Sequence, residues 1–252
     1  GFGGSVPRPP SAVSRLPSLV ARRPSPARSP LAFARRELAV LLAGPAFHAV
    51  LFSLAALASF ALVLRYVQVV PFVASLLSGE PWRDVFRLQL LLWISAAALA
   101  GPLTGASLFA RDRPGLPHAF LRLAPLPPLA VFSGVFLAGL AAVLLLLAAL
   151  LPPVLACRAL GGPDWRDLAA LSLGAGALGF FGLAAGALWA VFLHRLARAC
   201  FAACLTTLPA AFLVLSAGPA EFLIASGLAA AAGAALLVPA ALVWRLGNAK
   251  DP

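Results

Sequence analysis

Six long apolar segments without a single Asp, Glu, Lys or Arg constrain this chain more than any other feature. The segments have 18 to 28 residues, and an α-helix of about 20 residues crosses the hydrocarbon core of a bilayer. We therefore predict an all-α, polytopic membrane protein with six transmembrane helices. The predicted spans are Ala46–Leu64, Leu88–Ala110, Leu129–Ala156, Leu168–Leu193, Ala199–Ser216 and Phe222–Trp244.

The composition excludes other classes of protein. Hydrophobic residues make up 62% of the chain and charged residues 11%, whereas a soluble domain carries about 25% charged residues. Too little polar surface is present to cover a soluble globule, and the chain is too hydrophobic to be disordered. Lys250 is the only lysine and no glycine-rich run precedes it, which excludes a P-loop ATPase because that motif places a lysine beside its glycines.

The distribution of arginine predicts the orientation. With the N-terminus in the cytoplasm, the cytoplasmic segments hold 14 Lys and Arg residues against three acidic residues, and the other side holds five of each. Cytoplasmic loops carry an excess of Lys and Arg, so we expect both termini to be cytoplasmic. The formal charge of +11 then marks one face of a membrane, and nucleic acid is not needed as a partner to explain it.

Three regions follow from these patterns: a disordered basic Pro/Ser/Arg tail at 1–29, the six-span domain at 30–246 and a cytoplasmic tail at 247–252. The sequence has no methionine, so we expect that Gly1 is not the translation start.

Ser29-Pro30 predicts the start of a short helix, because Ser caps helices and Pro suits their first position. An apolar stripe follows at helical spacing, and Gly44-Pro45 ends the helix. The stripe comprises Leu31, Ala34, Leu38 and Leu41.

Arg35, Arg36 and Glu37 lie between the apolar positions of this short helix. Two interpretations stay open. The helix is either an amphipathic helix in the membrane interface or a cytosolic extension of the first span.

No pattern for catalysis or metal binding is present. His48 is the only histidine within the spans and no acidic residue lies in them, which argues against an ion-driven secondary transporter. We therefore predict neither catalytic residues nor a metal or other cofactor. We interpret Cys157, Cys200 and Cys204 as small buried hydrophobic residues. Gly182-x-x-x-Gly186 in the fourth span indicates close helix packing, for which a contact between subunits is one form.

The loop between the second and third spans carries the most information. A charged cluster, Arg111-Asp112-Arg113, is followed by a short amphipathic segment and a Pro-Leu-Pro-Pro turn at 125–128. The amphipathic segment contains His118, Phe120, Leu121, Arg122 and Leu123. Its apolar side chains are suited to dock on a soluble partner, although an ordinary basic loop is the alternative.

This loop resembles that of the ABC-2 type permeases, the membrane subunits of ABC exporters. Arg111-Asp112-Arg113, Gly115, the leucines, Pro125-Leu126 and Gly134 follow the order of the family's loop. The segment Ala34–Leu38 leading through Pro45 into the first span resembles the family's connecting helix. Val135 stands where the family commonly has lysine.

The resemblance implies that the chain is the permease subunit of an ATP-driven exporter in a bacterial inner membrane. Such a subunit is not itself an enzyme. Its implied partners are a cytosolic ABC ATPase subunit and a second permease copy or paralogue, within the lipid bilayer. It also implies an ATPase-coupling loop and a connecting helix. The coupling loop would comprise Arg111, Asp112, Arg113, His118, Phe120, Leu121, Arg122 and Leu123, and the connecting helix Arg35, Arg36 and Glu37. The alternative is a six-span enzyme or assembly scaffold that is not coupled to an ATPase.

Overall fold

A computed structural model describes residues 30–69, 80–110, 127–159, 164–193, 195–216 and 219–249. Nearly all of these residues are helical. The helices are α1 (Pro30–Ala43), α2 (Pro45–Val69), α3 (Glu80–Phe109), α4 (Pro128–Ala148), α5 (Leu151–Ala159), α6 (Trp165–Leu193), α7 (Leu196–Ser216) and α8 (Pro219–Ala249). Gly44 separates α1 from α2, and its N–H donates to Leu41 O, as Gly44-Pro45 predicts.

Among the described residues, six helical segments are long and apolar enough to cross a membrane, which confirms the predicted six apolar helices and gives the chain the architecture of an integral membrane protein. The segments are Pro45–Leu64, Leu88–Phe109, Pro128–Ala159, Trp165–Leu193, Leu196–Ser216 and Glu221–Leu246. The third segment differs from the prediction because it breaks at 149–150. Pro152 and Pro153 lack the N–H groups that would bond to Ala148 O and Ala149 O, so α4 cannot continue as one regular helix.

The helix α6 is the centre of the bundle and packs against α3, α4, α7 and α8. Its closest neighbour is α3, along a contact that we call the glycine seam, formed by Gly101, Gly105, Gly179, Gly182 and Gly186. A Cβ at Gly101 would lie 2.5 Å from Gly179 O. One at Gly186 would overlap Pro102 O and lie 3.0 Å from Gly105 Cα. Glycine is therefore required for the two backbones to meet, as in other close-packed transmembrane helices.

Pro102 lies in the middle of α3 and removes the N–H that would bond to Ala98 O. A neighbouring helix supplies a donor to this carbonyl: Thr207 Oγ1 on α7 lies 3.2 Å from Ala98 O. Thr207 is 1% exposed, and its hydroxyl also lies 2.9 Å from Cys204 O on its own helix. The proline in α3 and the threonine in α7 thus account for one polar contact between helices inside the bundle.

Two apolar clusters show how the helices are arranged from end to end. One cluster joins Phe33 of α1, Phe109 of α3, Phe132 of α4 and Ala199 of α7, with Trp244 of α8 packed against it. The other joins residues from the far ends of α3, α4, α7 and α8, among them Val214 and Phe222. We call these the α1 end and the opposite end. The spans alternate in direction, and α1 and the last turns of α8 lie at the same end of the bundle.

Candidate functional site

The α1 end holds the described part of the sequence-predicted site. The helix α1 packs against the first turns of α4, where Gly134 leaves room for it. A Cβ at Gly134 would lie 2.9 Å from Pro30 O and 3.0 Å from Phe33 Cδ1. The absence of a side chain at Gly134 therefore allows α1 to approach the backbone of α4.

The three predicted residues of α1 do not share one face. Arg35 and Arg36 are exposed, whereas Glu37 is 3% exposed. The buried face carries Phe33, Ala34 and Glu37, which only partly coincides with the apolar stripe predicted from the sequence. Position 37 lies one helical turn after positions 33 and 34, on the side of α1 that meets α4. The two arginines are left free of this packing and present their charge outward.

An aromatic cluster fixes the two helix ends that flank the predicted coupling loop. Phe109 at the end of α3 lies 4.9 Å from Phe132 on α4 and 5.7 Å from Trp244 on α8, between ring centroids. Phe136 lies 5.6 Å from Phe180 of α6 in an edge-to-face contact. Such pairs stabilise by about 0.5–1.5 kcal/mol each beyond the area that they bury. The last turn of α3 and the first turns of α4 are thereby held against each other and against α6 and α8.

The predicted coupling loop itself lies outside the described residues. This applies to Arg111, Asp112, Arg113, His118, Phe120, Leu121, Arg122 and Leu123. Its two anchors are described: Ala110 is buried, and Pro127 is extended with φ −62° and ψ 136°. The carbonyl of Pro127 accepts from the N–H groups of Ala130 and Val131. The loop therefore begins and ends at points that are fixed to the bundle.

Charge differs between the two ends. Among the described residues, the α1 end has five arginines and one acidic residue, namely Arg35, Arg36, Arg195, Arg198, Arg245 and Glu37. The described helix ends on the opposite side have five arginines and five acidic residues. These are Arg65, Arg83, Arg87, Arg158 and Arg166, with Glu80, Asp84, Asp164, Asp167 and Glu221. On the opposite side, Arg158 lies 4.0 Å from Asp164 and 5.7 Å from the Trp165 ring centroid.

Polar side chains inside the bundle bind backbone carbonyls. Gln89 Nε2 of α3 donates to Ala58 O of α2 at 3.0 Å, and Trp93 Nε1 donates to Leu147 O of α4 at 3.1 Å. Each of these bonds joins two helices. Within the ranges that the structure covers, no group of three or more His, Cys, Asp and Glu side chains could hold a metal ion.

Sequence reasoning missed three features of this end: the packing of α1 on Gly134, the aromatic cluster and the burial of Glu37. The aromatic residues near the ends of three spans were the available signal, because aromatic side chains are enriched at membrane interfaces. Cys157 is buried as predicted, and Cys200 and Cys204 are half-buried.

Comparison of the chain with protein-family models, with curated proteins and with solved structures finds no match.

Proposed function

We propose that this chain is the membrane subunit of an ABC-2 type export complex. It pairs with a second permease copy or paralogue and with a separate cytosolic ATPase subunit, which hydrolyses ATP. This chain carries out no bond chemistry. Its role is to convert movement at the coupling loop into movement of the spans.

The observation that most directly supports this proposal is the position of α1. The resemblance to ABC-2 permeases rests on two segments far apart in sequence, the connecting helix and the coupling loop. The helix α1 packs on the first turns of α4, where Pro30 and Phe33 meet Gly134, and Phe33 belongs to the same apolar cluster as Phe109 near the end of α3. The connecting helix thus packs beside the helix ends between which the coupling loop runs in sequence.

The packing of α3 suggests how loop movement reaches the interior. The loop is attached to α3 at Ala110 and to α4 at Pro127, and α3 meets α6 backbone to backbone along the glycine seam. A contact between backbones has no flexible side chain to absorb displacement. In this proposal, force applied to Arg111–Leu123 moves α3 and α6 together.

In this proposal the α1 end faces the cytoplasm of a bacterium, because its described helix ends hold five arginines and one acid and arginine accumulates on the cytoplasmic side. The helix α1 then lies in the membrane interface. Arg35 and Arg36 would reach the lipid headgroups, and the exposed side chains of Leu31 and Val40 would lie beside acyl chains. The buried face would remain on α4.

The test is co-purification of the full chain with the nucleotide-binding ATPase encoded beside its gene. We expect an ATPase to be retained in neutral detergent. Joint replacement of Phe120, Leu121 and Leu123 by alanine should remove it, because these side chains form the proposed docking surface.

A triple variant in α7 is the matched control, since it also replaces one phenylalanine and two leucines by alanine. Phe201, Leu205 and Leu208 are exposed side chains of a predicted span. We expect this control to retain the ATPase. If no ATPase is retained by the unaltered chain, or if the loop variant retains as much as the control, the proposed coupling is wrong.

A further inference from the structure

A groove between α7 and α8 opens on the outer surface of the bundle and has a volume of about 470 Å³. Phe181 of α6 forms its floor, and Leu213 of α7 and Leu228 of α8 form parts of its walls. The groove exists because α7 and α8 each pack on α6 more extensively than on one another. Its volume falls within the range of about 300–1,000 Å³ that is typical of small-molecule sites.

Small residues on α8 give the groove its depth. Ala225, Ala229 and Ala232 line it at intervals of four and three residues, so that one side of the helix faces the recess. Glu221 lines the same side one turn before Ala225. From Glu221 to Ala232 the helix rises by about 16 Å. The recess is therefore long and narrow, with an apolar stretch that begins beside a carboxylate.

Glu221 is the only ionisable side chain among the described residues that line the groove, and it is exposed. It precedes Arg245 by 24 residues in the same helix, a rise of about 36 Å. This exceeds the hydrocarbon thickness of about 30 Å, so Glu221 lies at the membrane boundary when Arg245 lies at the other one. Ser216, at the end of α7, lies at the same mouth.

The charge at this mouth selects among amphiphiles. A carboxylate attracts an ammonium group and repels a phosphate or sulfate, and the described lining supplies no arginine or lysine to pair with an anionic headgroup. A zwitterionic phospholipid would bring its phosphate close to Glu221 without such a partner. An amphiphile with one alkyl chain and a cationic head fits the elongated recess and places its positive charge beside the Glu221 carboxylate.

We propose that the groove binds a single-chain alkylammonium amphiphile, with its alkyl chain along Ala225–Ala232 and its ammonium group beside Glu221. This site does not depend on the proposed export function, because it uses only α6, α7 and α8. It lies toward the opposite end, away from the proposed coupling loop.

The test uses a dodecyltrimethylammonium analogue that carries a photoreactive diazirine near the end of its alkyl chain. It is added to the purified full chain in phosphatidylcholine vesicles, and the labelled peptides are identified by mass spectrometry. We expect saturable labelling within 210–232, competed by dodecyltrimethylammonium and not by dodecyl sulfate at the same concentration. Uniform labelling of the exposed face of α2, or equal competition by both amphiphiles, would overturn the proposal.

Two pairs of variants separate charge from shape. Glu221→Gln should raise the half-saturating concentration by about two- to fivefold, the effect of losing one exposed ion pair. Asp167→Asn, at an exposed acidic residue at the same end but outside the groove lining, should leave it unchanged. Ala232→Leu fills the recess and should raise the half-saturating concentration by about tenfold.

Ala231→Leu is the size-matched control, because Ala231 is exposed and does not line the groove. If Ala231→Leu weakens labelling as much as Ala232→Leu, or if Glu221→Gln has no effect, the site is not the one proposed. Cross-linking between cysteines introduced at Leu213 of one copy and Leu228 of another would show that a second copy fills the groove. That result would also overturn the proposal.

Discussion

Replacement of Gly101 by alanine tests the glycine seam directly. A Cβ at Gly101 would lie 2.5 Å from Gly179 O and 3.1 Å from Leu183 N. Both are backbone atoms and cannot rotate away. Ordinary van der Waals contact begins at 3.4 Å, so α3 and α6 must separate locally by about 0.9 Å to admit the methyl group.

Two opposing effects determine the result of Gly101→Ala. Alanine in place of glycine inside a helix stabilises that helix by about 1 kcal/mol. Forcing an extra methyl group into a packed interface destabilises by about 1–3 kcal/mol, and a gap of 0.5–1 Å forfeits about a quarter to a half of the dispersion energy across it. The destabilisation from crowding at the glycine seam therefore equals or exceeds the stabilisation from the higher helix propensity of alanine.

Gly176→Ala on α6 isolates the seam effect, because a Cβ at Gly176 would have no neighbour within 4 Å. Both variants share the propensity gain, so the difference between their unfolding free energies reports the seam alone. We expect Gly101→Ala to be less stable than Gly176→Ala by about 1–3 kcal/mol. The assay is unfolding in mixed micelles with increasing sodium dodecyl sulfate, followed by circular dichroism. Equal unfolding midpoints for the two variants would refute the backbone contact.

Further predictions concern hydrogen bonds and orientation. Thr207→Val should destabilise the protein by about 1 kcal/mol in the same assay, whereas Thr206→Val should have a smaller effect, because Thr206 donates only within α7 among the described contacts. Trp93→Phe keeps an aromatic ring and removes the donor to Leu147 O, and should cost about 1 kcal/mol. In a cysteine-free background expressed in intact cells, Trp165→Cys should react with a membrane-impermeant maleimide and Arg195→Cys should not. Reversed labelling would contradict the proposed orientation.

The six spans were predictable because uncharged apolar runs of this length have few alternatives to crossing a bilayer. The ends were less predictable. The helix α8 runs from Pro219 to Ala249, beyond the predicted Phe222–Trp244, because polar and charged residues do not by themselves end a helix. The break after α4 was missed, although Pro152 and Pro153 were visible in the sequence. The predicted span Leu129–Ala156 followed the long apolar run and therefore continued through the point where the two prolines prevent a regular helix.

The arrangement of the spans could not be predicted from apolarity. The helix α6 is apolar on nearly every side, so hydropathy does not identify which of its faces meets another helix. Gly182 and Gly186 indicated a close contact, and the structure places their partners Gly101 and Gly105 in the same chain. Likewise, Arg35, Arg36 and Glu37 are consecutive in sequence, and only the position of α4 separates the buried carboxylate from its exposed neighbours.

The contact between Ala98 O and Thr207 has a consequence for biosynthesis. Pro102 leaves that carbonyl without its usual helical donor as soon as α3 enters the bilayer, where no water can replace it. The hydroxyl that bonds to it is 109 residues further along the chain. At ~5–20 residues per second, synthesis of that stretch takes roughly 5–20 s. During this interval the carbonyl of Ala98 has to rely on another donor or on a local change of helix geometry, and the packing of α7 on α3 then brings the Thr207 hydroxyl to it.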